Sequence, residues 1–208
     1  MILEACVGNL KDAISAQLKG AHQIELCDRL DLDGNSPPFD LIEKVTSSLE
    51  IPVKVIVNPK PYDYSYNRDE LEAIENYIKS ISKLNISGIV FGPVDKERMP
   101  DLKAIKQISE CSDLPITFHK SIDDSPNIIN AISSLIDQGI IRYILSSGGA
   151  ETAKEGIKML KKMKNTINNQ KSDIELIGAG SITEGNLSLL DEALNLNYYH
   201  GKLIVGNL

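Results

Sequence analysis

A short apolar run followed by a longer stretch with helical spacing recurs seven times along this chain, and that alternation limits the fold more than any other feature. Apolar runs of this kind mark parallel strands buried on both faces, and parallel strands need a connection long enough to hold a helix. The first unit shows the rule. Residues 2–7 are strand-like, Asn9 can cap a helix, Leu10, Ile14 and Leu18 approximate one helical face, and Gly20 stands where a helix ends. Residues 22–27 form the second strand and 39–49 the second helix. Residues 53–57 are strand three, followed by a helix over 69–84 with Leu71, Ile74, Ile78 and Ile81 aligned. Strand four spans 86–91, a helix lies near 101–110, and strand five runs over 115–119. Ser125 and Pro126 suit the cap and first position of the next helix. Strand six (141–145), a helix (151–167), strand seven (174–177) and a helix (183–194, with Leu187, Leu190 and Leu194 aligned) complete seven units. The eighth strand has two candidates, 197–200 and 203–205, and no helix follows it. The pattern predicts one α/β domain over residues 1–208, a TIM-type (β/α)8 barrel lacking the last helix.

Charge and cysteine usage exclude several function classes. The net charge of −7 argues against a broad nucleic-acid-binding face, which needs clustered Lys and Arg. The basic run over 158–164 (KMLKKMK) has Ile157, Leu160 and Ile167 on one helical side, so it reads as a solvated helix face. No apolar run approaches the length of about 20 residues that spans a bilayer, and Met1-Ile2-Leu3-Glu4 lacks the basic start of a secretory signal. A cytoplasmic protein without membrane or nucleic-acid partners is expected. Cys6, Cys27 and Cys111 form no C-x-x-C pair and should be reduced thiols.

In a β/α barrel, chemistry sits at the C-terminal ends of the strands. Glu4 and Glu25 interrupt apolar strands there, and each needs a partner because a buried carboxylate is costly alone. With His119 and Asp123 after strand five, they are candidates for acid–base work on a small anionic molecule. Anion-binding candidates are Lys60, Lys120, Ser146, Ser147 and the turn containing Gly178, Gly180 and Ser181, where backbone N–H groups before a helix can hold phosphate. Cys6 and Cys27 each stand two residues beyond a Glu on neighbouring strands. Period-two alternation then puts all four on a common side if the register matches, and a thiol pair suits copper(I). Packing of both cysteines as small hydrophobes is the competing explanation.

Several segments together resemble the CutC family: Leu3-Glu4-Ala5-Cys6, Ile24-Glu25-Leu26-Cys27, Thr117-Phe118-His119-Lys120-Ser121-Ile122-Asp123, Leu145-Ser146-Ser147-Gly148 and Gly178-Ala179-Gly180. They cover nearly the whole chain in the family's order. The resemblance implies a cytosolic barrel, often a homodimer, associated with copper homeostasis either as a copper(I) binder or as an enzyme of unassigned activity. His119 and His200 are further copper candidates, and His200 matches a histidine of the family's last strand. Asn58, Lys60 and Lys120 stand where the family carries arginines, so a bidentate arginine site for an oxyanion is not expected.

Overall fold

The computed structural model describes residues 1–32, 34–60 and 62–208. Its strands are β1 (Ile2–Val7), β2 (Gln23–Leu26), β3 (Val53–Ile56), β4 (Gly88–Val90), β5 (Ile116–Phe118), β6 (Ile141–Ser146), β7 (Glu175–Gly178) and β8 (Tyr198–Gly201). All pair in parallel, each with the next, and β8 closes on β1. Helices α1 (Leu10–Leu18), α2 (Phe39–Ser48), α3 (Arg68–Ile81), α4 (Leu102–Ser109), α5 (Ile128–Gln138), α6 (Ala153–Asn169) and α7 (Glu184–Leu194) follow the first seven strands in turn. Among the described residues seven α-helices alternate with eight strands and none follows β8, in keeping with the sequence pattern.

Strand alternation divides the core in two. Ala5, Val7, Ile24, Leu26, Val55 and Ile89 point outward and pack against the helices in one continuous cluster. The opposite faces fill the barrel with two smaller apolar groups: Cys6, Cys27, Ile56 and Val90 form one, and Leu145, Ile177 and Ala179 the other. Polar residues on those inward faces are therefore enclosed by strands on every side. Register fixes which of them meet: Glu4 lies opposite Gln23 on β2 and His200 on β8, and Cys6 lies opposite Glu25.

Helix faces follow the spacing of the large apolar residues with one exception. In α3, Leu71, Ile74, Ile78 and Ile81 are all buried, and Asn67 and Glu70 cap its start reciprocally. The helix ends at Ile81 rather than at 84. On α1 the buried residues are Ala13 and Ala16, whereas Leu18 is 79% exposed and Ile14 is also exposed. Alanines let this short helix lie close to the barrel, and weighting only large side chains selects the wrong face.

Two boundaries differ for identifiable reasons. A one-turn 3-10 helix at Lys120–Asp124 follows β5, and Ser125 ends it, its hydroxyl donating to the Arg98 carbonyl at 2.9 Å. Asn127 caps α5 instead, accepting from the Asn130 N–H at 3.1 Å. Of the two candidates for strand eight, the 197–200 segment supplies it, while Leu203 makes only an isolated bridge to Thr183.

Candidate functional site

The strand ends open on a cavity of about 430 Å³ whose lining includes Cys6, Glu25, Cys27, His119 and His200. Its floor is ionic. Glu4 is completely buried, with Oε2 2.9 Å from Lys54 Nζ and Oε1 2.9 Å from His200 Nδ1. Gln23 Nε2 donates to Glu4 Oε2 at 2.6 Å, and Lys54 Nζ stands 4.1 Å from the centre of the Tyr143 ring. Burial alone would raise the Glu4 carboxyl, but Lys54 and His200 outweigh it and hold it at about 2. Glu4 is thus a fixed carboxylate inside the barrel, supported by two cations.

Above this floor the two thiols meet: Cys6 Sγ and Cys27 Sγ are 3.7 Å apart, and Cys27 Sγ is 3.2 Å from Glu25 Oε1. Register explains the approach, because Cys6 faces Glu25 directly and Cys27 lies one inward-facing position further on. A hydrogen bond from Cys27, working against burial, brings the Cys6 thiol down to about 5, while the same hydrogen bond and burial push the Cys27 thiol up. Of the two, Cys6 is thus the thiol that ionises more readily. Burial raises Glu25 to about 7. At His200 burial opposes the charged form, but Glu25, Cys6 and Glu4 around it raise its pKa well above the usual range for an imidazole.

His119 approaches from β5. Its Nδ1 accepts the Ser121 N–H at 3.1 Å, its ring centre lies 4.5 Å from that of Tyr64, and burial lowers its pKa to about 3. Gly92 makes room for it: a Cβ at that position would come within 2.6 Å of His119 Nδ1. Nε2 of His119 is buried and makes no hydrogen bond among the described residues.

The remaining candidates divide between the cavity and its surroundings. Asp123 belongs to a second, smaller pocket of about 250 Å³, with Ser147, Gly149 and Lys120 on its walls. Its carboxylate accepts from Ser147 N and Ser147 Oγ at 2.9 Å, from Gly149 N at 2.9 Å and from Ser146 Oγ. The two serines thus direct their donors at a carboxylate of the protein itself. Lys60 is tied to Asp63 and Glu70, each at 3.0 Å, outside the main cavity. Lys120, Gly180 and Ser181 line the main cavity, whereas Gly178 sits at the buried end of β7 against Tyr199 and Leu196. Glu4 lies beneath the cavity, reaching it through His200.

Three contributors escape a reading of single positions: Lys54, Gln23 and Gly92. Lys54 carried a signal, since a lysine breaks the apolar run of β3 just as Glu4 and Glu25 break theirs. Gln23 and Gly92 matter only through register and close packing.

The family model described as the CutC family matches residues 1–205. A human protein named copper homeostasis protein cutC homolog is 31% identical over 205 residues, which are 96% of this chain and 72% of that protein. A CutC family protein of Aliivibrio fischeri is 33% identical over 193 residues, covering 91% of this chain and 77% of its own length. A solved structure described as a CutC copper homeostasis protein from Streptococcus agalactiae is similar with a TM-score of 0.91 at 27% identity. The match covers 98% of this chain and 99% of that one.

Proposed function

This chain belongs to the CutC family, and on that premise we propose that it serves copper homeostasis by binding copper(I) through Cys6 and Cys27 at the barrel mouth. The observation that carries the reading is the separation of 3.7 Å between the two sulfurs. Two sulfurs at that spacing, each about 2.3 Å from a metal, would subtend about 107° at it. Such a bent pair leaves one side open to a third ligand. Glu25 is close enough to Cys27 to fill it, since donor atoms of Cys6, Glu25 and Cys27 all lie within 4.8 Å of one another. Soft thiolates favour copper(I) over harder ions, and an already lowered Cys6 thiol needs little further change to bind. Copper here is cargo, taken up and given away. Thiols stay reduced in the cytoplasm, which suits this role and is where we place the protein. The homodimer implied by family membership belongs to the same proposal, and sedimentation of a monomer at micromolar concentration would remove it.

Competition against a copper(I) chelator tests the ligands. The reduced protein should withdraw copper, and the Cys6→Ser, Cys27→Ser double variant should not. Equal competition by both would eliminate the two sulfurs as ligands.

Acid–base catalysis on a small anionic substrate is a second reading, favoured by one observation: burial brings Glu25 to about 7, where a general acid or base works best. Its partners would be His200 and Cys6 rather than Asp123, whose carboxylate is occupied by hydrogen bonds. Turnover abolished by Glu25→Gln with copper binding retained would support it.

A further inference from the structure

The mouth cavity is far larger than one copper ion. At about 430 Å³ it falls within the range of sites for small organic molecules. Its walls are apolar over much of their extent, with Leu30, Ile56, Leu145 and Ile182 among them. Polar groups enter from two sides that the thiol pair does not use.

The first side is β5. Because Nδ1 of His119 accepts a backbone N–H, that nitrogen carries no proton, the ring is neutral and the proton resides on Nε2. His119 is only 6% exposed, and the Nε2–H has no acceptor among the described residues. A buried donor left in this way is destabilising, and the cost is removed when a ligand presents an oxygen to it. His119 is too weakly basic to be held here as a cation, and its only open function is donation.

The second side is the turn between β7 and α7. Residues 180–183 line the same cavity immediately before an eleven-residue helix, with Gly201 at the end of β8 and Lys202 and Leu203 after it also in the lining. The N–H groups of Gly180 and Ser181 make no hydrogen bond among the described residues. Ser181 has a φ of +53°, which turns the backbone sharply at this point. Helix N-termini preceded by free N–H groups favour anions, and the loops after strands seven and eight are where β/α barrels commonly hold them. Lys120 adds a charge with no ion-pair partner among the described residues, whereas Lys202 gives a hydrogen bond to the Leu30 carbonyl at 3.0 Å.

We propose that the mouth cavity is a binding site for a small organic oxyanion, a phosphate ester or a carboxylate, recognised by the His119 Nε2–H donor and by the backbone N–H groups of Gly180 and Ser181. Such a ligand would lie over the thiol pair with its carbon skeleton against the apolar wall. The site is independent of copper: it uses no sulfur, and its failure would leave the copper reading intact.

Nuclear magnetic resonance of the labelled, copper-free protein at neutral pH tests it, with inorganic phosphate and acetate as probes and chloride at matched ionic strength as the control. Millimolar phosphate or acetate should shift the Gly180 and Ser181 amides and the His119 ring nitrogen along a saturating curve, and the anion that saturates assigns the head group. His119→Asn keeps an acceptor for the Ser121 N–H, so the local turn is preserved, but removes the imidazole donor. Loss of one neutral hydrogen bond should weaken binding roughly 3- to 10-fold. Lys120→Ala should weaken it roughly 2- to 5-fold, as expected for an exposed charge. Shifts no different from those of chloride, or undiminished affinity in His119→Asn, would overturn the proposal.

Discussion

Replacing His119 by Asn should change how the protein responds to acid in a direction set by burial. In the folded protein burial lowers this histidine to about 3, whereas an unfolded chain binds a proton at about 6.5. Between those values the unfolded state holds more protons, so stability is complete above about pH 6.5 and is lost as pH falls toward 3. The loss amounts to about 1.4 kcal/mol for each unit of pH in that window, or about 2.7 kcal/mol by pH 4.5. Glu4 and Glu25 titrate over neighbouring ranges, but they are common to both proteins and cancel in the difference. Urea unfolding followed by circular dichroism at neutral pH and at about pH 4.5 measures that difference. Any constant penalty for the lost ring cancels too, since only its pH dependence counts. The stability advantage of the wild type over His119→Asn should shrink by about 2–3 kcal/mol on acidification. A difference independent of pH would show that His119 takes up a proton in the folded state as readily as in the unfolded one, and the neutral buried ring, with Nδ1 accepting from Ser121, would fall with that.

Other perturbations address the surrounding structure. Lys54→Met leaves the fully buried Glu4 carboxylate without its ammonium partner and should cost about 3–5 kcal/mol, most of it recovered by adding Glu4→Gln; urea midpoints of the three proteins decide this. Asp123→Ala should lower stability by about 1–3 kcal/mol by stranding the donors of Ser146, Ser147 and Gly149, while chelator competition shows copper affinity unchanged. Gly180→Ala would place a Cβ 2.6 Å from that of Ser147 at a φ of +99°, and a melting temperature equal to wild type would contradict that packing.

The barrel was legible because it rests on repeated local signals, each an apolar run followed by a helical face, that agree with one another along the chain. The thiol pair was legible for a related reason: parallel strands and period-two alternation carry Glu4, Cys6, Glu25 and Cys27 to one side once the register is known. What the sequence hides is partnership. Asp123 stands after a strand as a catalytic acid would, yet its oxygens are filled by serines that lie more than twenty residues away in the chain. Lys60 offers a charge in the right segment, but Asp63 and Glu70 already pair with it. Conversely, Lys54 breaks the apolar run of its strand, but only the folded barrel shows that its partner is Glu4. A charged side chain announces its chemistry by type, and only the tertiary structure says whether that chemistry is already satisfied.

Charge balance within the barrel makes the copper reading quantitative. In mildly acidic solution the Lys54 ammonium and the His200 imidazolium oppose two anions, the Glu4 carboxylate and the Cys6 thiolate, while burial keeps Glu25 neutral and Cys27 keeps its proton. The enclosed cluster is thus neutral before copper arrives. A cuprous ion adds one positive charge, and in a low-dielectric interior that charge must be offset. Ionisation of Cys27 supplies the compensation, since three cations then face three anions. Copper binding should therefore release about one proton, rather than the two expected from a pair of ordinary thiols. Calorimetric titration in buffers of different ionisation enthalpy counts the protons directly. In Cys27→Ser the release should vanish along with most of the affinity. A count of two would mean either that Glu25 also loses its proton to become the third ligand or that Cys6 enters as a thiol, and the count in Glu25→Gln separates the two. A count near zero in the wild type would mean that copper binds without displacing the Cys27 proton, which is incompatible with a two-sulfur site.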